Sequence, residues 1–233
     1  MFTTNLKHPY GVLPPGNQFI ASPEDLLVRP KGLGRMKCIH DDELVLEILS
    51  FCSFKDLGAL NCCSRAMYVY SMHNELWRDL VLRICKDNFC FENSWKDTFA
   101  KHVSNTNSIH RPIIVRGIYS HALYQSWLCR NLDLESACPG FFEFSNISRL
   151  ESTDLSVERF VKEFEVPNKP VIIRGVVTSW PAYEKWDLDY LAKTCGSFQF
   201  RATSATAAGA ATLTMSQYKR YSEQTIGEYN SVL

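Results

Sequence analysis

"NKPVIIRGVVTSWPAYEKW", Asn168 to Trp186, is the stretch whose reading decides the fold class of this 233-residue chain. Pro170 leads into Val171, Ile172 and Ile173, three consecutive β-branched residues of the kind that favour extended backbone. A short apolar run without polar alternation suits a strand covered on both faces. Gly175 breaks the run, and the Trp180-Pro181-Ala182 loop follows before Trp186. Upstream, "SVERFVKEFEVPNKP" offers Ser156 as a helix cap, sets Phe160, Val161 and Phe164 on one side, and stops at Pro167. Downstream, "DLDYLAKTCG" predicts a helix closed by Gly196. "FQFRA" and "TLTM" alternate as strands do. "ATSATAAGAAT" (Ala202 to Thr212) reads as the loop between them, and Ser216 is placed to cap a helix containing Tyr218 and Tyr221.

The first half of the chain has a different periodicity. In "DDELVLEILSFC", Leu44 and Ile48 stand four residues apart, as do Val45 and Leu49, so the segment predicts a helix. Asp41 and Asp42 suit its first turn, where orphan amides and the helix dipole favour negative charge. "SFKDLGALNCCSRAMYVY" predicts a second helix, with Ser53 and Asp56 as a capping box. "NELWRDLVLRIC" predicts a third, capped by Asn74, with Leu76, Leu80 and Ile84 in a stripe. "FENSWKDTFAKHV" adds one more, begun by Asn93 or Ser94. Residues 1–36 carry Pro9, Pro14, Pro15, Pro23 and Pro30 with four glycines, so they are expected to form a flexible tail. "NTNSIHRP" reads as polar connector, and "IIVRGIYSHALYQSWLCRNLDL" is expected to wrap onto the following domain.

Composition narrows the function classes. Lysine plus arginine total 25 and aspartate plus glutamate total 25, which predicts neither a nucleic-acid surface nor a polybasic membrane patch. No run approaches the ~18 apolar residues of a spanning helix, and the first residues lack the apolar core of a secretory signal. The nine cysteines are an odd number without regular spacing, which argues for reduced thiols rather than a disulfide framework. They include no C-x-x-C pair; Cys62 and Cys63 read as small packing groups. His40-Asp41-Asp42 spells His-x-Asp, but it opens a helix, where capping explains the carboxylates without a metal. There is neither a phosphate-binding glycine loop nor a G-x-S-x-G elbow.

Two resemblances organise these segments. The helical part resembles an F-box in Glu43, Leu44, Ile48, Leu49, Asp56, Leu57, Leu76 and Trp77, with His40 and Asp41 where that family has leucine and proline. This resemblance implies a docking surface for the Skp-type adaptor of a cullin-RING ubiquitin ligase, carried by Leu44, Ile48, Leu49, Leu57 and Trp77. Core packing of a three-helix bundle is the plain alternative for the same leucines.

The second half resembles the entry into a Jumonji C (JmjC) domain of the arginine demethylase and lysyl hydroxylase subgroup. Ser156, Phe160, Pro170, Val171, Gly175, Trp180, Pro181, Trp186 and Tyr218 carry it, and "YQSWLC" (Tyr124 to Cys129) is shared with F-box members of that group. The resemblance implies an α+β chain: tail 1–36, F-box-like helical domain 37–104, connector 105–144, and 145–233 as the incomplete N-terminal part of a cupin-like double-stranded β-helix. Members bind Fe(II) with 2-oxoglutarate through a His-x-Asp/Glu pair and a distant histidine. Here the last of the six histidines is His121, so the triad maps onto no residue of that half and no cofactor is assigned to this chain.

Two functions are thus expected. One is the N-terminal portion of an Fe(II)/2-oxoglutarate-dependent protein hydroxylase or demethylase, inactive by itself for want of iron ligands. The other is a non-catalytic F-box adaptor. By resemblance the location is the nucleus, with the cytoplasm as alternative, and chromatin or other proteins are the substrates. Trp180 and Trp186 suit either a peptide groove or packing. A barrel segment ending in "GEYNSVL" would leave unpaired strand edges, so 145–233 is expected to be weakly protected against hydrogen exchange.

Overall fold

A computed structural model describes residues 7–106, 110–131, 140, 146–202 and 211–224. It divides into two compact units, Met1–Leu132 with Gly196–Leu233, and Asp133–Cys195.

Among the described residues, the N-terminal part of the first unit is built on the helices α1 Pro23–Leu33, α2 Asp42–Ser50, α3 Phe54–Leu60, α4 Arg65–Ser71, α5 Asn74–Cys85, α6 Trp95–Ser104 and α7 His121–Asn131. Local caps start most of them. The Asp41 carboxylate accepts the Glu43 amide, Ser53 and Asp56 form the reciprocal capping box, and Ser94 accepts the Asp97 amide. The segment 53–70, expected as one helix, is two. Ser64 accepts the Met67 amide and begins α4 anew, because a side-chain acceptor satisfies the orphan donors of a fresh first turn. Cys62 and Cys63 lie in the turn between and are exposed, so they do not fill packing space. Asn74 does not cap α5; its Oδ1 accepts the Trp95 amide at 2.9 Å and so tethers the start of α6 instead.

α4 is the central helix, with every residue from Ala66 to Ser71 buried. Around it pack Val45, Leu46 and Leu49 of α2, Leu57 of α3, Leu76, Trp77, Leu80 and Val81 of α5, and Trp95 and Phe99 of α6. Ile84, predicted for the α5 stripe, is instead exposed.

Residues 7–36 are not the flexible tail their prolines suggested. Ser22 accepts the Asp25 amide and Pro23 occupies the first turn of α1, where a missing N–H costs nothing. Val12 and Leu33 are buried. The Val115 amide donates to the Tyr10 carbonyl at 2.9 Å and the Leu13 amide to Ile118 at 3.0 Å. Two glycines permit this packing. A Cβ on Gly32 would lie 2.4 Å from Ala66 Cβ, and one on Gly117, where φ is +79°, would lie 2.0 Å from the Asp25 carbonyl oxygen. Residues 110–131 are likewise no connector. Val115, Ile118, Ala122 and Leu123 join the helical core, because the apolar residues of this stretch meet the N-terminal segment and α2.

The chain returns to this unit at its far end. Antiparallel strands β3 Gln199–Ala202 and β4 Ala211–Thr214 lead into helix α11 Met215–Gln224. Thr214, not Ser216, caps α11: its hydroxyl accepts the Gln217 amide at 3.1 Å while Gln217 Oε1 accepts the Thr214 amide at 2.8 Å. That is the Thr-x-x-Gln form of the capping box. The expected loop Ala202–Thr212 lies, between its two ends, outside the described residues.

The second unit holds parallel strands β1 Ser148–Glu151 and β2 Val171–Arg174, with Ser148 opposite Val171 and Glu151 opposite Arg174. Ser156 caps helix α8 Val157–Phe160, which runs on as a π-helical turn Val161–Glu165. Helices α9 Pro181–Lys185 and α10 Leu188–Cys195 complete it. The strand read from Val171 forms, but its double cover does not: Ile172 and Ile173 remain 40% and 37% exposed. A two-stranded sheet offers too little partner surface to bury both faces.

Candidate partner-docking surface

The five residues assigned to a partner surface separate when the helices pack. Leu49, Leu57 and Trp77 are 2%, 1% and 5% exposed and belong to the core. Trp77 donates its indole N–H to the Ser71 carbonyl at 2.9 Å and meets Phe99 edge-on at 5.4 Å. These three cannot touch a partner, because their surface is already spent on holding α2, α3 and α5 around α4. Leu44 and Ile48 face outward, 50% and 46% exposed. Phe51 joins them at 82% exposed. Residues 44, 48 and 51 follow i, i+4, i+7 spacing, so they share one helix face. That spacing was present in the sequence and Phe51 was missed.

The start of α2 is anchored from beneath. Asp42 Oδ1 accepts from Arg29 Nε at 2.8 Å and from the Tyr70 hydroxyl at 2.6 Å, and Arg29 also donates to the Ile39 carbonyl at 2.9 Å. Burial, together with the Asp42 carboxylate, pushes the Tyr70 phenol above its ordinary range, although Arg29 opposes this. The network satisfies a largely buried carboxylate and fixes how α2 presents its outer face. Covering two half-exposed apolar side chains and the largely exposed Phe51 would contribute on the order of 3–5 kcal/mol. That is enough for a docking patch, not for a core.

Iron does not fit the described residues. No group of three His, Cys, Asp or Glu side chains comes together there in a way that could hold a metal ion. His73 pairs with Glu75 at 2.7 Å, His102 lies 2.7 Å from the Cys90 amide and His110 lies 2.9 Å from Asp97, so these imidazoles are dispersed among separate partners. In His40-Asp41-Asp42 both carboxylates are engaged, one as a cap and the other with Arg29. In the second unit Trp180, Tyr183 and Trp186 are 52%, 62% and 67% exposed, so these rings are not packing groups within it.

No protein-family model matches the chain. The chain is similar to Arginine-specific demethylase JMJ22 of Arabidopsis thaliana, 38% identical over 220 residues, which is 92% of this chain and 41% of that protein. Lysine-specific demethylase JMJ21 of Arabidopsis thaliana is 30% identical over 176 residues, 74% of this chain and 18% of that protein. Bifunctional arginine demethylase and lysyl-hydroxylase psr-1 of Caenorhabditis elegans is 42% identical over 48 residues, 21% of this chain and 12% of that protein. The chain thus spans about two fifths of the first relative's length and about a fifth of the second's. Similarity along nearly all of this chain makes it a homologue of JmjC-type arginine and lysine demethylases, which supports its place as a JmjC-family protein.

Proposed function

We propose that this chain serves as the adaptor-docking part of an F-box/JmjC protein, its helical unit recruiting a Skp-type adaptor of a cullin-RING ligase. One observation carries the reading: Leu44 and Ile48 of α2 and its C-cap Phe51 stand exposed on one face while Val45, Leu46 and Leu49 of the same helix are buried. An apolar outer face on a helix pinned by Arg29, Asp42 and Tyr70 is what rigid docking requires. The departures at His40 and Asp41 leave this face intact, since Asp41 begins the helix as well as a proline would.

The names of the relatives support a demethylase or hydroxylase activity for the protein as a family member; that this activity uses Fe(II) and 2-oxoglutarate, and acts in the nucleus on chromatin or other proteins, is our inference from the JmjC resemblance. Among the described residues no set of iron ligands comes together, and in this reading the chain's own contribution to that activity is placement rather than chemistry. The test is direct binding of the purified chain to a Skp-type adaptor. Leu44→Asp and Ile48→Asp should each weaken binding at least about tenfold with unchanged melting, since each puts a charge into an apolar contact. Wild-type binding by both variants would remove the reading. The same preparation, given Fe(II), 2-oxoglutarate and methylarginine peptides, should form no succinate above background.

A further inference from the structure

A cavity of about 540 Å³ opens within the helical unit, away from the docking face of α2, and falls in the size range of small-molecule sites. Its walls include Tyr10, Trp127, Lys96, Arg111, Asp97 and His110. The three full charges among its lining residues are Lys96, Arg111 and Asp97, which leaves one positive charge in excess. Asp97, already counted in that balance, accepts from the Ser94 hydroxyl at 2.7 Å and lies 2.9 Å from His110.

Among the described residues neither cation here has a carboxylate partner. The Lys96 ammonium meets only the weak acceptor Met72 Sδ at 2.6 Å and the Trp77 ring at 5.5 Å, with no carboxylate in ion-pair range among the described residues. Burial holds the Lys96 amine below its ordinary range, and Arg111 adds to this while Asp97 opposes it. Arg111 uses its backbone amide on the Tyr68 hydroxyl at 2.9 Å, while its guanidinium has no ion pair among the described residues. In the same wall the indole N–H of Trp127 is buried without an acceptor among the described residues. Two cations beside aromatic walls ask for an acceptor-rich negative group on a flat apolar body.

We propose that this cavity is a binding site for a small aromatic or apolar carboxylic acid, its carboxylate held by Lys96 and Arg111 and its body against Tyr10 and Trp127. The site is separate from the adaptor surface and does not depend on it.

The test is calorimetric titration of the full chain with benzoate, using benzamide as the neutral isostere. Benzoate should bind saturably and benzamide at least about tenfold more weakly, the difference a charge-assisted pair makes. Arg111→Met, at an exposed side chain, should weaken benzoate at least about tenfold without changing the melting transition, and Lys96→Met should do the same. If Lys96→Met fails to fold, Arg111→Met alone decides. Equal binding of the two probes, benzoate binding indifferent to Arg111→Met, or no benzoate binding by about 10 mM would each overturn the proposal.

Discussion

The rings of Trp95 and Tyr221 lie stacked, centroids 5.1 Å apart and planes 20° apart, so a residue near the start of α6 is covered by one from the far end of the chain. Phe91 meets both rings edge-on, at 5.0 Å from Trp95 and 5.3 Å from Tyr221. Around this cluster Gln224 Oε1 accepts the Phe91 amide at 2.6 Å and Arg220 donates to the Phe89 carbonyl at 3.3 Å. A segment that resembles barrel sequence is therefore part of the helical core.

Removing that cover should loosen the first unit. Tyr221→Ala is expected to cost about 2 kcal/mol of stability through lost ring contact and a residual cavity. Urea titration followed by tryptophan fluorescence measures it. A midpoint equal to that of the parent chain would show that α11 adds nothing to the helical core.

The Arg29–Asp42–Tyr70 network carries a pH signature. The Tyr70 phenol is raised by burial and by Asp42, so its folded value lies above the unfolded one of about 10. A raised acid stabilises the fold below the unfolded pKa and loses that contribution as pH climbs above it. Tyr70→Phe should therefore be less stable than the parent near neutrality by about 1–2 kcal/mol, from the lost hydrogen bonds. The gap should narrow above about pH 10, where only the parent pays for keeping its phenol protonated. Thermal melts of both proteins from pH 7 to 11 check this, and parallel curves throughout would refute it.

Hydrogen exchange should divide the second half of the chain. Uniformly weak protection over 145–233 was the expectation from sequence. The structure revises it: 148–195 should exchange fast, since Phe164 is the lone large side chain buried there among the described residues, whereas 211–224 should be protected with α5 and α6. Mass-spectrometric exchange reads the two regions separately. Equal protection across them would contradict the division.

Much of the local structure was legible. The boxes at Ser53/Asp56 and the caps at Ser94 and Ser156 depend on atoms three residues apart, so sequence spacing suffices to find them. The strands at Val171, Gln199 and Ala211 were likewise readable from residue type and alternation. The start of α1 was legible too, in Ser22, Pro23 and Asp25, but the proline count was read as disorder. For the docking surface, the stripes Leu44/Ile48 and Val45/Leu49 are equivalent as patterns, and spacing cannot say which turns inward.

Taken alone, the order of residues determined the element types, the homology-bearing motifs, the charge balance and the lack of any histidine after His121. Tertiary structure decided which α2 stripe is buried, that residues 7–36 and 110–131 join the helical core, and that α11 closes on Trp95. The reason is physical. Caps and periodicity are set by neighbours along the chain, whereas burial is set by close approaches such as Gly32 on Ala66 and Gly117 on Asp25, between segments far apart in sequence.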